Sequence, residues 1–305
     1  MRAVDMFAGW GGFTTGAREA GIDVVWAANH WPLAVETHQL NHPGTEHVCQ
    51  DLRQADWTKL PPYDVLLAGP ACQGHSSASQ PRRRPYHNAL RATAWAVVDC
   101  ADETEPEAII VENVPAFARW RLFEHWAGAL EALGYTLDTR LLTASHFDVP
   151  QRRTRLFVVC TRSGKKVPEL VEQDKEPPFG PCLQPAPEGS WTLVADAPPG
   201  VRRRIYRSAE RHGQLFLTQH TRDHFGVSLD EPIRTITTAP CHWNLVDGER
   251  YRPLSGRELA RGMGFPDSYR WPEGTSVADA TRGIGNAVCP PVAAALLRAV
   301  AGTIA

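Results

Sequence analysis

Residues 3–31 read AVDMFAGWGGFTTGAREAGIDVVWAANHW. An apolar strand (3–9) runs into glycines at 9, 11, 12 and 16, then a helical pattern (13–21) stopped by Gly21, then a second apolar strand (23–29). Working outward, YDVLLAG (63–69), EAIIVEN (107–113) and RLFVVCT (155–161) are apolar on both faces as well. Strands of this kind, separated by helices, predict a parallel sheet covered by helices on both sides, an α/β fold. Ligands of such sheets collect beyond the carboxyl ends of the strands. The chemically interesting residues fall at those ends: Gly9–Gly12, Asn29–Trp31, Pro70–Cys72 and Glu112–Asn113.

The 305 residues are 43% hydrophobic and 22% charged, as expected of a soluble globular protein. No apolar run approaches the roughly 20 residues that span a bilayer, and the first residues read as a core strand, not a signal peptide. No membrane association is expected, and the cytoplasm is the expected compartment. Seven cysteines without a C-x-x-C pair argue against a zinc site or a disulfide framework; no metal is expected. The net charge is −2, yet arginine outnumbers lysine 28 to 4. Two arginine triplets, Arg82–Arg84 and Arg202–Arg204 followed by Arg207, read either as phosphate-holding patches or as solvated loops. From residue 164 the texture changes, with EPPFGPCLQPAPEGS (176–190) marking irregular chain. We expect a first domain over 1–163, completed by 275–305 with its closing apolar helix, and a smaller, loop-rich domain over 164–274.

The glycine-rich turn admits close approach of a ligand to the backbone. It lacks the full dinucleotide spacing and the lysine of a P-loop, so by itself it fits a dinucleotide, S-adenosyl-L-methionine or no ligand. Trp31 could stack on an adenine and Asp51 could accept from its amine. Cys72 follows an apolar strand and needs a helix terminus or an arginine to become a thiolate. Glu112 ends another such strand, where an acid is costly unless paired or functional. Arg153 and Arg155 alternate into the strand at 155–161, which aims both at one face. Glu112 then reads either as half of a structural ion pair or as an acid held for chemistry.

The same residues carry a resemblance to the cytosine-C5 DNA methyltransferase family that runs from end to end. DMFAGWGGFTTGAREAG (5–21) resembles its cofactor motif, GPACQGHS (69–76) its Pro-Cys-Gln loop, and VENV (111–114) its Glu-Asn-Val motif. QRRTR (151–155) resembles its Gln-x-Arg-x-Arg motif, and RELARGMGFPD (257–267) and GNAVCPPVA (285–293) its two closing motifs. The resemblance implies a Rossmann-like, mostly parallel sheet of the S-adenosyl-L-methionine-dependent methyltransferase type, with 164–274 as target recognition domain. It implies a monomer acting on double-stranded DNA in a bacterial or phage-infected cell. Cys72 would attack C6 of a flipped cytosine. Glu112 would hold N3 and the exocyclic amine, Arg155 would bind O2, and Arg153 would orient Glu112. The cofactor residues carried over are Phe7, Ala8, Gly9, Gly11, Gly12, His30, Trp31, Asp51, Leu52, Gly69, Asn286 and Val288. Those for DNA are Gln73, Ser76, Arg82, Arg83, Arg84, Thr235 and Thr237.

Two departures stand out. Ala71 replaces the proline that stiffens the turn before the cysteine, and His30 stands where the family keeps a glutamate for the ribose hydroxyls. Three other readings stay open at this level: methylation of tRNA cytosine, transfer of a group other than methyl, and a DNA-binding homologue without turnover.

Overall fold

The computed structural model describes residues 1–71, 92–162, 164–219 and 225–305. Seven strands form the main sheet: β1 (Arg2–Met6), β2 (Asp23–Asn29), β3 (Glu46–Cys49), β4 (Val65–Ala68), β5 (Ala108–Asn113), β6 (Thr136–Thr143) and β8 (Thr154–Thr161). Their order is β3-β2-β1-β4-β5-β8-β6. The first five are parallel to one another. The strand at 154–161 departs from the expected direction and runs antiparallel to both neighbours. It therefore begins at the edge where β5 ends, opposing Asn113 with Leu156 and Glu112 with Phe157.

Alternation along the strands divides the interior into two cores. Ala3, Val24, Val65, Leu67 and Ile110 face one side. There they meet α1 (Gly12–Glu19), α2 (Pro32–Asn41) through Ala34, and α8 (Pro290–Ile304). Val4, Met6, Leu66, Ile109 and Val111 face the other side, against α3 (Trp95–Thr104) and α4 (Phe123–Ala132). The closing segment, α7 (Val277–Asn286) followed by α8, is long and apolar enough to cross a membrane by composition, but most of it is buried inside the protein.

A second sheet has the order β10-β12-β13-β9, from β9 (Thr192–Leu193), β10 (Leu215–Gln219), β12 (Trp243–Asp247) and β13 (Arg250–Pro253). One of its faces carries a small core of Val194, Ile205, Phe216 and Val246 under α5 (Pro199–His212). The other face, through Leu217, Trp243 and Leu245, joins the main core, as do Leu259 and Met263 from α6 (Gly256–Gly262) and the turn after it. The stretch PIRTITTAP is not part of this second sheet. Its β11 (Ile233–Arg234) pairs in parallel with β7 (Gln151–Arg152) of the QRRTR segment. The two sheets are thus stitched together at 151–153 and 233–236.

Close packing of α1 on α8 depends on Gly16, whose added Cβ would lie 2.5 Å from the Pro290 carbonyl oxygen and 2.6 Å from Ala293 Cβ. Gly16→Ala is expected to lower stability by about 1–3 kcal/mol or more, the usual cost of overpacking. Gly128→Ala in α4, with no described atom within 4 Å of the new Cβ, should gain about 0.5–1 kcal/mol from the better helix former. Urea unfolding of the two variants checks both signs.

Candidate active site

Parallel register aligns the strand ends. Met6 pairs with Ala28 and Ala68, Ala28 with Val48, and Ala68 with Val111. The residues after them share one edge: Phe7 to Gly9, His30 and Trp31, Asp51, Gly69, and Glu112. Because β8 starts there, Arg153 and Arg155 come to the same place.

Glu112 is 7% exposed at the end of a strand that is otherwise fully buried. Burial raises its pKa above the ordinary carboxylate value, and Arg155, then Arg153, act against that rise. Arg155 Nε lies 3.2 Å from Glu112 Oε1. The contact is an ion pair of poor angle, and Oε1 accepts no hydrogen bond from any described residue. A buried carboxyl oxygen in that condition fits a ligand that supplies a donor. Arg153 has a different position from the expected one. Its guanidinium, 3% exposed, donates to the carbonyls of Ile236 (3.2 Å), Gly285 (3.1 Å) and Ala287 (3.1 Å). Arg155 is therefore the residue in contact with Glu112, while Arg153 ties β8 to the second sheet's connection and to the closing motif. Gln151 adds to that tie, accepting from Ile236 N (2.6 Å) and donating to Gly262 O (3.0 Å). The pair of arginines and Glu112 line a crevice with Leu142, Phe157, Val288 and Cys289.

Asn113, 1% exposed, donates from Nδ2 to the Pro70 carbonyl at 3.1 Å, and its Oδ1 accepts from Val114 N at 2.9 Å. Pro70 is two residues before Cys72. The asparagine thus fixes the start of the cysteine segment where Ala71 has removed the stiffening of a proline. Cys72, Gln73, Ser76 and Arg82–Arg84 lie outside the described residues. Of the described cysteines, Cys100, Cys160, Cys182 and Cys289 are buried, and burial pushes each thiol upward, Cys100 and Cys289 to about 11 and Cys182 to about 12. Such thiols are inert near neutrality.

The glycine-rich turn separates by geometry. Gly9 (φ +56°) and Gly69 meet only the Phe7 carbonyl oxygen, at 3.7 and 4.0 Å, in the direction of an added Cβ. Among the described residues nothing else comes near them above β1 and β4, which suits the close approach a cofactor needs. Gly11 and Gly12 make room for protein instead: an added Cβ would lie 2.8 Å from the Tyr269 hydroxyl at Gly11 and 2.0 Å from the Val288 carbonyl at Gly12. Phe7, half-buried at φ +59°, and Ala8 lie at the rim. Leu52 and Val288 are buried in the two cores, and Asn286 is exposed at the end of α7. Asp51 departs from the expectation of an open acceptor. Arg53 holds both of its oxygens and takes its carboxyl down to about 2, chiefly by side-chain hydrogen bonding. Trp31 is half-buried, with the Arg282 guanidinium 4.7 Å from its ring centre. His30 is exposed. Sequence offers no signal for Arg282, because stacking between β2 and α7 is set by the tertiary fold.

Beneath this turn runs a buried polar chain. Thr14 Oγ1 donates to Asp5 Oδ2 at 2.7 Å. While Asp5 is ionised and that proton is committed to it, His38 Nε2 at 2.9 Å donates to Thr14, and His47 Nε2 at 2.8 Å donates to His38 Nδ1. The assignment requires a neutral His38, and burial, followed by His42 and His47, lowers its pKa well below the ordinary value. Burial raises Asp5 to about 7.

Thr235 and Thr237, expected to face DNA, are half-buried on either side of buried Ile236. Thr235 Oγ1 donates to Arg152 O at 3.4 Å. Among the described residues no His, Cys, Asp and Glu group fits a metal ion.

A family model described as C-5 cytosine-specific DNA methylase matches residues 1–181 and 184–302. The chain is similar to the Type II methyltransferase M.NlaX of Neisseria lactamica, at 26% identity over 97% of this chain and 95% of that protein. It is also similar to M.HhaI of Haemophilus parahaemolyticus, at 25% identity over 94% and 90%. Its fold matches a putative DNA modification methyltransferase encoded within an E. coli prophage, with a TM-score of 0.74, 22% identity and 99% of each chain covered.

Removing Asn113's grip takes away the Pro70 carbonyl's hydrogen bond among the described residues, at a cost of about 1–3 kcal/mol. Asn113→Ala is expected to lower kcat with little change in cofactor affinity, as single-turnover kinetics and calorimetry would read. For Glu112 the sign follows from its surroundings. Burial favours the neutral acid and Arg155 opposes it, so Arg155→Gln should move the titration of Glu112 to higher pH, as carboxyl-labelled NMR would read.

Proposed function

The chain belongs to the C-5 cytosine-specific DNA methylase family, and on that premise we propose how its residues carry out the reaction. The protein is an S-adenosyl-L-methionine-dependent DNA cytosine-C5 methyltransferase. The observation that carries the assignment of roles is the buried carboxyl of Glu112, ion-paired to Arg155, beside an asparagine that holds the segment leading into Cys72.

Cytosine C5 is a weak nucleophile, and addition of a thiolate at C6 overcomes this. The Cys72 sulfur forms a bond to C6 of a base swung out of the duplex. The electron pair of the C5–C6 bond moves into the ring, toward N3, where the Glu112 carboxyl supplies a proton. A carboxyl raised by burial keeps that proton closer to neutral pH, the requirement for a general acid. Arg155 steadies Glu112 and faces the O2 side of the base. S-adenosyl-L-methionine, when bound, supplies the methyl group as a sulfonium electrophile. Loss of the C5 proton to a base, through water, re-forms the C5–C6 double bond as the C6–S bond breaks, and the N3 proton returns to Glu112, which restores the ring and the enzyme.

Gly9 and Gly69 border the proposed cofactor cradle. Phe7, Ala8 and Trp31 supply apolar contact, and Asn286 closes the far end. His30 takes the place of the family's ribose acid and, if neutral, offers one acceptor where a carboxylate offers more. Gly11, Gly12, Leu52 and Val288 shape this pocket from behind. Asp51 would have to accept an adenine amine on oxygens already shared with Arg53. The substrate is double-stranded DNA. Residues 164–274 form the target recognition domain, with Thr235 and Thr237 near the duplex and Gln73, Ser76 and Arg82–Arg84 on the cysteine segment. The enzyme acts as a monomer on DNA inside the cell, and its Type II relatives support a part in restriction-modification.

Tritium transfer from labelled S-adenosyl-L-methionine tests this reading. Label is expected on cytosine of duplex DNA and not on tRNA, and it should vanish in Cys72→Ser. Glu112→Gln should slow transfer by about 10²–10⁴-fold, the usual worth of a positioned acid. Label on tRNA alone, or on neither, contradicts the assignment.

A further inference from the structure

The second arginine triplet becomes a different object once folded. It lies in α5, and the helix divides it. Arg202 turns back to donate to the Ala195 carbonyl at 2.9 Å, and Arg204 is half-buried. Arg203, Arg207 and Arg211 are exposed, and at spacings of four they form one ridge. Each step advances about 6 Å, so the ridge is about 12 Å long. Ile205 and Ser208 point the other way, at 1% and 0% exposure.

Two features suit the ridge to negative charge. The guanidinium of Arg207 lies 4.0 Å from the Phe225 ring centre and that of Arg211 5.8 Å from it, so one aromatic ring steadies both. No α5 arginine is ion-paired with a described residue, and Glu210 is the only acid on the helix. Like charges held in a row, unpaired with any described carboxylate, suit a partner with its own regular row of negative charge. Planar guanidinium groups match phosphate geometry well.

We propose that Arg203, Arg207 and Arg211 form a second DNA contact, which grips phosphates of the duplex outside the recognised bases. The ridge sits on the face of the small sheet opposite Leu217, Trp243 and Leu245, which pack into the main core. It therefore cannot take part in the chemistry at Glu112, and its contact is with flanking backbone. The contact carries no sequence information and adds affinity that salt weakens. The proposal rests on duplex DNA being the substrate.

The test is fluorescence anisotropy of a long mixed-sequence duplex, titrated with the protein over a range of KCl concentrations. Each phosphate contact contributes about 0.9 to the slope of log K against log salt. The triple variant Arg203→Gln, Arg207→Gln, Arg211→Gln is expected to lose about two to three from that slope. The corresponding triple lysine variant should retain the slope, which counts charge, while binding less tightly for want of the guanidinium fork. Wild-type binding with an unchanged slope in the glutamine variant overturns the ridge alone. A wild-type protein that binds no duplex overturns both the ridge and the reading it rests on.

Discussion

A carboxyl group kept out of water beside two guanidinium groups is the constraint on which the site depends. Glu112 is the penultimate residue of a strand buried along its whole length, and such a position is costly for an acid. Arg155 makes it tolerable at 3.2 Å without forming a well-angled hydrogen bond. The result is an acid that is poised, neither silenced by a tight salt bridge nor flooded by solvent. Its neighbour Asn113 reaches across to Pro70, so the acid and the start of the cysteine segment are set by adjacent residues of one strand.

That arrangement requires β8 to run backwards. In an all-parallel sheet the start of a strand lies at the opposite edge from the ligand site. Here the reversal brings Arg153 and Arg155 to the end of β5, because Asn113 pairs with Leu156. Arg153 then serves as a strut. Its three carbonyl partners come from Ile236, Gly285 and Ala287, so the residue beside the acid also fastens the segment entering the second sheet and the closing motif. The glycine turn is fastened in the same way, since Gly12 closes on the Val288 carbonyl. The chain's two ends therefore converge on one edge of the main sheet.

Much of this was legible in the sequence. β1, β2, β4 and β5 declared themselves as strands apolar on both faces, and the expected bounds of β2 match the fold residue for residue. β3 and β6 did not. EHVC is half-exposed along most of its length, and TLDTRLLT carries polar residues on its open side, so neither stands out as a core strand. Direction was also hidden, because alternation reads the same from either end of a strand. Arg153 and Arg155 were predicted to share a face, and their spacing could not say which would meet Glu112. By sequence the glycines form one group, whereas the fold turns Gly11 and Gly12 to packing and leaves Gly9 and Gly69 clear of described side chains. The reach of Asn113 to Pro70 and of Arg282 to Trp31 comes from tertiary contacts that no local pattern encodes.

The central claim is that Glu112 makes C6 of cytosine receptive to a thiol. Duplex DNA bearing 5-fluorocytosine at the target position measures this directly, since the fluorine blocks release and leaves protein and DNA covalently joined. With S-adenosyl-L-methionine present, the wild-type chain should be trapped through Cys72, and Glu112→Gln should bind the cofactor yet form the adduct far more slowly. Trapping of Glu112→Gln at the wild-type rate, or failure of the wild type to be trapped at all, would contradict the account.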